Sequence, residues 1–307
     1  VAETGPALVR GVSWTPAGPS LSLTADDGGA RVPLQAGQWL RFSVLAGSGI
    51  PARYCLGYSS VQGPEESQHF PCPSGAAAER GYQCGACFAR DDFRFMHDFH
   101  RSGIAPPGLK LYLAQPHWLY VATFADGTTK VGTASQRSKW SRLADQGAVV
   151  ARYVAQAGDG SVVRVLEDAV SANLGLTQFV RGAGKFASLL QPRPAADLEE
   201  VNRAAAAVVR EFLATQALDG FGVVSEQWER SALAAGVAEP SQRIAYPQAL
   251  MAGTHGIRLD SLLGSYALVG VDGSGTAFLA DLTALKGHKI LFGDYATDVP
   301  ALQESLF

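Results

Sequence analysis

Four cysteines, Cys55, Cys72, Cys84 and Cys87, fall within 33 residues of a 307-residue chain. The surrounding stretch, 50–107, has few long apolar runs, so its own hydrophobic burial is a weak basis for folding. A cross-link or a metal must supply the remainder. The opening residues VAETGPALVRG lack the charged start and apolar run of a secretory signal, which points to a cytoplasmic setting where thiols stay reduced. Metal binding is therefore favoured over disulfides. Cys84-Gly-Ala-Cys87 sets two thiolates within reach of one tetrahedral ion, and Cys55 and Cys72 would complete a closed structural zinc site. The first pair is 17 residues apart, looser than a second CxxC, and His69, three residues before Cys72, is an alternative ligand. A redox pair at Cys84 and Cys87, or unconnected structural cysteines, are the competing readings.

The rest of the chain is ordinary globular material. Hydrophobic residues make up 47%, enough for sizeable cores, and the length suggests two or three domains. No uninterrupted run of 18 apolar residues occurs, so no membrane span is expected. Charge is uneven. Residues 1–100 carry −2, residues 101–193 carry +6, and residues 194–307 carry −7. A basic middle third can mark a phosphate-bearing partner, nucleic acid among them.

Hydropathy patterning predicts an α+β chain in four parts: an N-terminal β segment over 1–49, a zinc-binding segment over 50–107, an α/β module over 108–190, and a long helix with a small C-terminal β domain over 191–307. Strands are predicted at 7–14, 20–24, 30–34 and 38–44. Further strands at 118–124 and 129–133 meet across Asp126–Gly127, a hairpin signal. Helices are predicted over 140–156 and 161–174. Glu167 lies on the apolar face of the second, where a carboxylate must find a partner or a metal. A capping box at Asp197 to Glu200 opens a helix running to about 218, with Leu198, Val201, Ala205, Val208 and Phe212 as its apolar stripe. Closing strands are predicted at 265–272, 276–282 and 288–292.

Several chemistries have no sequence support. There is no GxSxG elbow, HExxH pair or phosphate-binding P-loop. His97 and His100, spaced i, i+3 beside Asp91, Asp92 and Asp98, could frame a second metal site, but that spacing is common by chance.

The stretch from Trp118 to Gly132, WLYVATFADGTTKVG, followed by Arg142 and then by Glu167, resembles the GIY-YIG nuclease module. Leu119 and Tyr120 fall at the first triplet. Lys130, Val131 and Gly132 fall at the second, with Lys130 where the family carries a tyrosine. The resemblance implies that Tyr120 positions the attacking water, that Arg142 contacts the scissile phosphate, and that Glu167 holds a divalent metal such as Mg²⁺ or Mn²⁺. Arg137 is an alternative for the arginine. Lys130 joins the same catalytic set.

A longer resemblance, to the bacterial and archaeal family known as domain of unknown function 2797, rests on Tyr54-Cys55-Leu56-Gly57, Cys72-Pro73, Gln83-Cys84-x-x-Cys87, Lys130-Val131-Gly132, Arg142 and Asp145-Gln146-Gly147-Ala148. The C-terminal Leu263-Gly264 and Tyr266 and the pair Gly287-His288 extend it. This family implies an architecture and no settled activity.

The sequence therefore leads to a metal-dependent phosphodiesterase or nuclease-like protein with a structural zinc. The alternatives are a non-catalytic nucleic-acid-binding zinc protein, in which Arg137, Lys139 and Arg152 hold phosphates and Trp140 stacks on bases, and a small-molecule enzyme reusing the same cavity.

Overall fold

A computed structural model describes residues 5–25, 28–96 and 98–298. The chain is α+β, built on two main sheets. The larger has nine strands in the order Ile244–Ala245, Phe278–Asp281, Tyr266–Val271, Gly253–Leu263, Trp39–Val44, Lys289–Phe292, Ala7–Thr15, Gly18–Ala25 and Gly28–Pro33. Its pairings are antiparallel except at Ile244–Ala245, which runs parallel to its neighbour. The N-terminal and C-terminal strands thus share one sheet, joined where Trp39–Val44 pairs with both Gly253–Leu263 and Lys289–Phe292.

The smaller sheet belongs to the middle of the chain, in the order Phe221–Gln227, Val150–Ala157, His117–Thr123 and Thr129–Ser135. The strand His117–Thr123 is buried along its whole length because both of its faces are covered. Trp118, Tyr120 and Ala122 face a core shared with Trp14, Leu21 and Phe42 of the nine-stranded sheet. Leu119 and Val121 face the other way, onto Val163, Leu166 and Val170 of helix Gly160–Leu174 and onto Ala206, Val209 and Leu213 of helix Ala195–Ala214. The hairpin across Asp126–Gly127 forms as expected, with the Thr128 N–H donating to Asp126 Oδ1 at 2.8 Å.

Three expectations need correction. The predicted helix over 140–156 is instead a short helix, Lys139–Asp145, followed by the strand Val150–Ala157. Gly147, at φ +68°, ends the helix in a conformation that suits glycine. The strand lies inside its sheet, so its buried residues do not alternate and the two-residue period that would betray a strand is absent. The helix predicted over 197–218 runs Ala195–Ala214, with Pro194 at its N-cap and no side-chain cap, so Asp197 sits in the first turn. Its buried stripe is Leu198, Asn202, Ala206, Val209 and Leu213, whereas Val208 is 50% exposed.

The shifted stripe has a physical cause at Asn202. Its Nδ2 donates to the Val121 carbonyl at 3.1 Å and to Thr123 Oγ1 at 3.0 Å, while its Oδ1 accepts from Arg152 at 2.8 Å. A polar side chain so fully bonded can lie in the core at little cost.

The cysteine-bearing segment holds a hairpin, Tyr58–Val61 with Ser67–Phe70, and the short helix Gly85–Arg90. Its Val61, Phe93, Phe95 and Phe99 pack with Leu109, Tyr112 and Leu113 of the helix Pro107–Leu113 that follows it. Apolar contacts with the next element therefore also support it. No helix among the described residues is long and apolar enough to cross a membrane.

Candidate active site and metal centre

The active-site candidates converge at the edge of the four-stranded sheet. Tyr120 stands directly opposite Gly132 in the hairpin. Its ring lies over that glycine, where an added Cβ would stand 2.4 Å from the Tyr120 hydroxyl. The bare Cα at 132 is what lets the phenol reach the sheet edge. Gly132→Ala is expected to destabilise the fold by roughly 1–3 kcal/mol through overpacking, since the ring is fully buried. Urea unfolding checks this.

Beyond Gly132 a cavity of about 380 Å³ is lined by Tyr120, Lys130, Arg142, Glu167 and also Arg164 and Lys185. The four residues expected from sequence to act together do line one cavity. Lys130 comes from the edge strand, Arg142 from helix Lys139–Asp145, Glu167 from helix Gly160–Leu174, and Lys185 from helix Gly182–Leu190. The segment carrying Gln178 is stitched alongside the edge strand by a Val131 N–H bond to the Thr177 carbonyl at 3.0 Å. Lys130 Nζ donates to the Gln178 carbonyl at 3.3 Å and lies 5.7 Å from the Tyr120 ring centre.

Charge is unbalanced in this cavity. Among the described residues of its wall, Lys130, Arg142, Arg164 and Lys185 face one carboxylate, Glu167. Glu167 is buried and Arg164 holds its Oε2 at 2.5 Å, which provides the partner that the apolar-face position demanded. Burial still raises the Glu167 carboxyl above its ordinary range, opposed by Arg164 and Lys130. Burial, with the charge of Arg142, holds Lys130 down to about 8. Lys185 is likewise lowered to about 8 by burial and by Lys130 and Arg142. Burial raises the Tyr120 phenol, keeping it protonated, and its hydroxyl accepts from Gln146 Nε2 at 2.7 Å.

Compared with known proteins, the chain matches no family model, no curated protein and no solved structure at a significant level.

Sequence reasoning missed Arg164, Lys185 and Gln146. Only Gln146 carried a signal, within the stretch Asp145 to Ala148. Its amide carbonyl on the main chain receives Lys185 Nζ at 2.8 Å, so one residue steadies both Lys185 and Tyr120.

The proposed phosphate-holding residues do not join the cavity. Lys139 pairs with Glu226 at 2.7 Å and sits 3.3 Å from the Trp118 ring centre. Trp140 is wedged between Trp14 and Trp228 and donates its Nε1–H to the Glu229 carbonyl at 2.9 Å, which removes it as a stacking platform. Arg152, on a strand instead of a helix, is paired with Glu199 and Asn202. Arg137 is exposed and donates to Ser67 Oγ at 3.0 Å, outside the cavity that contains Arg142. Asp145 accepts the Trp14 backbone N–H at 2.9 Å and forms no ion pair with Arg142 among the described residues.

The four cysteines form a separate centre. Their sulfurs all lie within 4.8 Å of one another, and Cys72 Sγ is 3.9 Å from Cys84 Sγ. Zinc–sulfur bonds of about 2.3 Å place tetrahedral sulfurs about 3.8 Å apart, so the four could hold a metal such as zinc. The N–H groups of Gly57 and Cys84 donate to Cys55 Sγ at 3.3 and 3.2 Å, as suits a thiolate. Burial and the neighbouring sulfurs push the Cys87 thiol up, so all four sulfurs would be ionised together only with a cation among them.

His69 stands outside the sulfur group, its Nε2 bonded to the Leu56 carbonyl at 2.7 Å. Of the second histidine site, His97 lies outside the described residues, while His100 bonds Asp168 at 3.2 Å and Asp92 accepts the Val61 N–H at 2.8 Å.

Proposed function

We propose that the protein is a metal-dependent phosphodiesterase of nuclease type, with a structural zinc held by Cys55, Cys72, Cys84 and Cys87. The observation that carries this reading is the convergence of Tyr120, Lys130, Arg142 and Glu167 on one cavity, joined there by Arg164 and Lys185. Four cations against one carboxylate suit an anionic group, and phosphodiester cleavage needs cations where charge develops. The resemblance to the GIY-YIG module supplies the reaction class.

Arg142 and Lys185 would neutralise the scissile phosphate. The protonated Tyr120 hydroxyl, fixed by Gln146, would orient the attacking water. Lys130 would complete the cationic wall. Glu167 suits Mg²⁺ or Mn²⁺, because magnesium commonly takes one or two carboxylates and keeps several waters. Such an ion, when bound, stabilises developing negative charge and lowers the pKa of a coordinated water.

The close Arg164–Glu167 pair favours a second reading, a non-catalytic nucleic-acid-binding zinc protein, since Glu167, the one carboxylate among the described residues of the wall, is already engaged. A small-molecule enzyme is a further alternative, because about 380 Å³ falls at the lower end of ligand-site volumes. The three separate in one experiment on labelled single- and double-stranded DNA and RNA at low salt. The enzyme cuts and needs Mg²⁺ or Mn²⁺. The binder retains the polymer without cutting, and its affinity falls steeply with salt. The small-molecule enzyme does neither.

The lysines add a pH signature. Because Lys130 and Lys185 lose their protons near pH 8 instead of above 10, the cavity loses positive charge as pH rises through that range. Affinity for an anionic substrate is expected to fall by about tenfold between pH 7 and pH 9, the worth of one weakened charged hydrogen bond. Fluorescence anisotropy at constant ionic strength measures it.

A further inference from the structure

A second cavity lies elsewhere in the molecule. It measures about 700 Å³ and sits between the N-terminal strands of the nine-stranded sheet and the cysteine-bearing segment. Arg10, Lys286 and Arg80 line it, along with Tyr58, Tyr82 and Asp91.

The backbone presents the first two cations deliberately. In the pairing of Ala7–Thr15 with Gly18–Ala25, Val9 opposes Leu23 and Gly11 opposes Ser22, so Arg10 is an extra residue in a β-bulge. Bulges re-aim side chains and recur beside functional sites. The turn bearing Lys286 is fastened to the same bulge. Gly287 N–H donates to the Val9 carbonyl and Val9 N–H to the His288 carbonyl, both at 2.9 Å. Lys286 Nζ then lies 4.3 Å from the Tyr82 ring centre.

Neither Arg10 nor Lys286 pairs with a carboxylate among the described residues. Asp91 is the one carboxylate among the described residues of the wall. Its Oδ2 already accepts from Gln83 Nε2 at 2.5 Å and its Oδ1 from the Phe93 N–H at 2.9 Å. Burial depresses both cations, and like charge adds to it, from Arg31 on Arg10 and from Arg10 on Lys286. Half-buried cations gathered without partners are costly unless an anion joins them.

We propose that this cavity is a second binding site, taking a phosphate group between Arg10 and Lys286 with Arg80 at its rim. A dianionic phosphate matches two converging cations, and an arginine can grip it through two parallel bonds. A carboxylate would leave one charge unanswered. Inorganic phosphate, a mononucleotide and a nucleic-acid backbone present the same chemistry to this wall.

The test uses the full chain in its zinc-loaded state, carrying Arg142→Ala and Lys185→Ala to silence the other cavity. Inorganic phosphate, ADP and a labelled single-stranded DNA dodecamer are the probes. Adding Arg10→Gln with Lys286→Gln should weaken binding of at least one probe about tenfold or more, with zinc content and melting temperature unchanged. A loss confined to phosphate and ADP identifies a free phosphate ligand, and a loss for the dodecamer identifies a nucleic-acid backbone. Arg80→Gln, at an exposed rim position, should weaken the same probe by about threefold and decides the matter if the double variant misfolds. Unchanged binding in a folded variant, or no binding of any probe before Arg10 and Lys286 are replaced, overturns the proposal. Because Arg142 and Lys185 are already absent, failure here is distinct from failure of the phosphodiesterase reading.

Discussion

Replacement of Cys55 by serine is expected to release the metal and unfold much of the 50–107 segment. Cys55 is almost wholly buried and accepts two backbone N–H bonds, from Gly57 and Cys84, so its sulfur is the hub of the group. Structural zinc contributes about 10–16 kcal/mol to folding in small zinc domains. The apolar cluster around Leu109 and Tyr112 supplies only part of that here. Zinc content should fall from one ion per chain to near none, proteolysis should appear within 50–107, and the melting temperature should drop by roughly 10 °C or more. A strong chelator acting on the unmodified protein should reproduce the change. Metal analysis combined with limited proteolysis checks both, and retained zinc with intact protection would show that these sulfurs do not bind it together.

Arg142→Ala is expected to act in the opposite way, on activity and not on stability. The residue is exposed on a short helix and forms no ion pair among the described residues. Its removal should change unfolding free energy by less than about 0.5 kcal/mol. Cleavage should nonetheless fall by about 10²–10³-fold, the usual loss when one group stabilising developing charge is deleted. Lys185→Ala should lower cleavage in the same direction. Lys139→Ala, whose cation is tied to Glu226 away from the cavity, should leave cleavage near normal. Single-turnover rates read all three.

Part of the candidate site was legible because Glu167 breaks a local pattern, a carboxylate on an apolar helix face that is costly without a partner. Tyr120, Lys130, Gly132 and Arg142 were picked out by the resemblance to the GIY-YIG module, and all four line the cavity. Cys84 and Cys87 were legible from spacing, since two thiols three residues apart favour a shared ligand, whereas the place of Cys55 and Cys72 beside them, and not His69, depends on the fold.

What stayed hidden depends on contacts distant in sequence. Lys185 looks like any surface lysine until the sheet and its helix are brought together. Asn202 disguised the buried face of its helix, because its bonds run to Val121, Thr123 and Arg152 on neighbouring strands. Val150–Ala157 lacks alternation because the sheet buries it on both sides. Trp140 read as a free aromatic until Trp14, 126 residues earlier, packed against it. The union of the chain's two ends in one sheet follows from pairings such as Arg41 with Gly256, which no local pattern encodes.

The most direct test is single-turnover cleavage of a mixed DNA and RNA pool by the unmodified protein and by Glu167→Gln, with and without Mn²⁺. The amide preserves the shape and keeps one acceptor oxygen for Arg164 while removing the charge that a divalent ion requires. The account predicts Mn²⁺-dependent cutting by the first and loss of at least about 10²-fold in the second, with the polymer still retained. Equal cutting by both, or cutting indifferent to the metal, would contradict it.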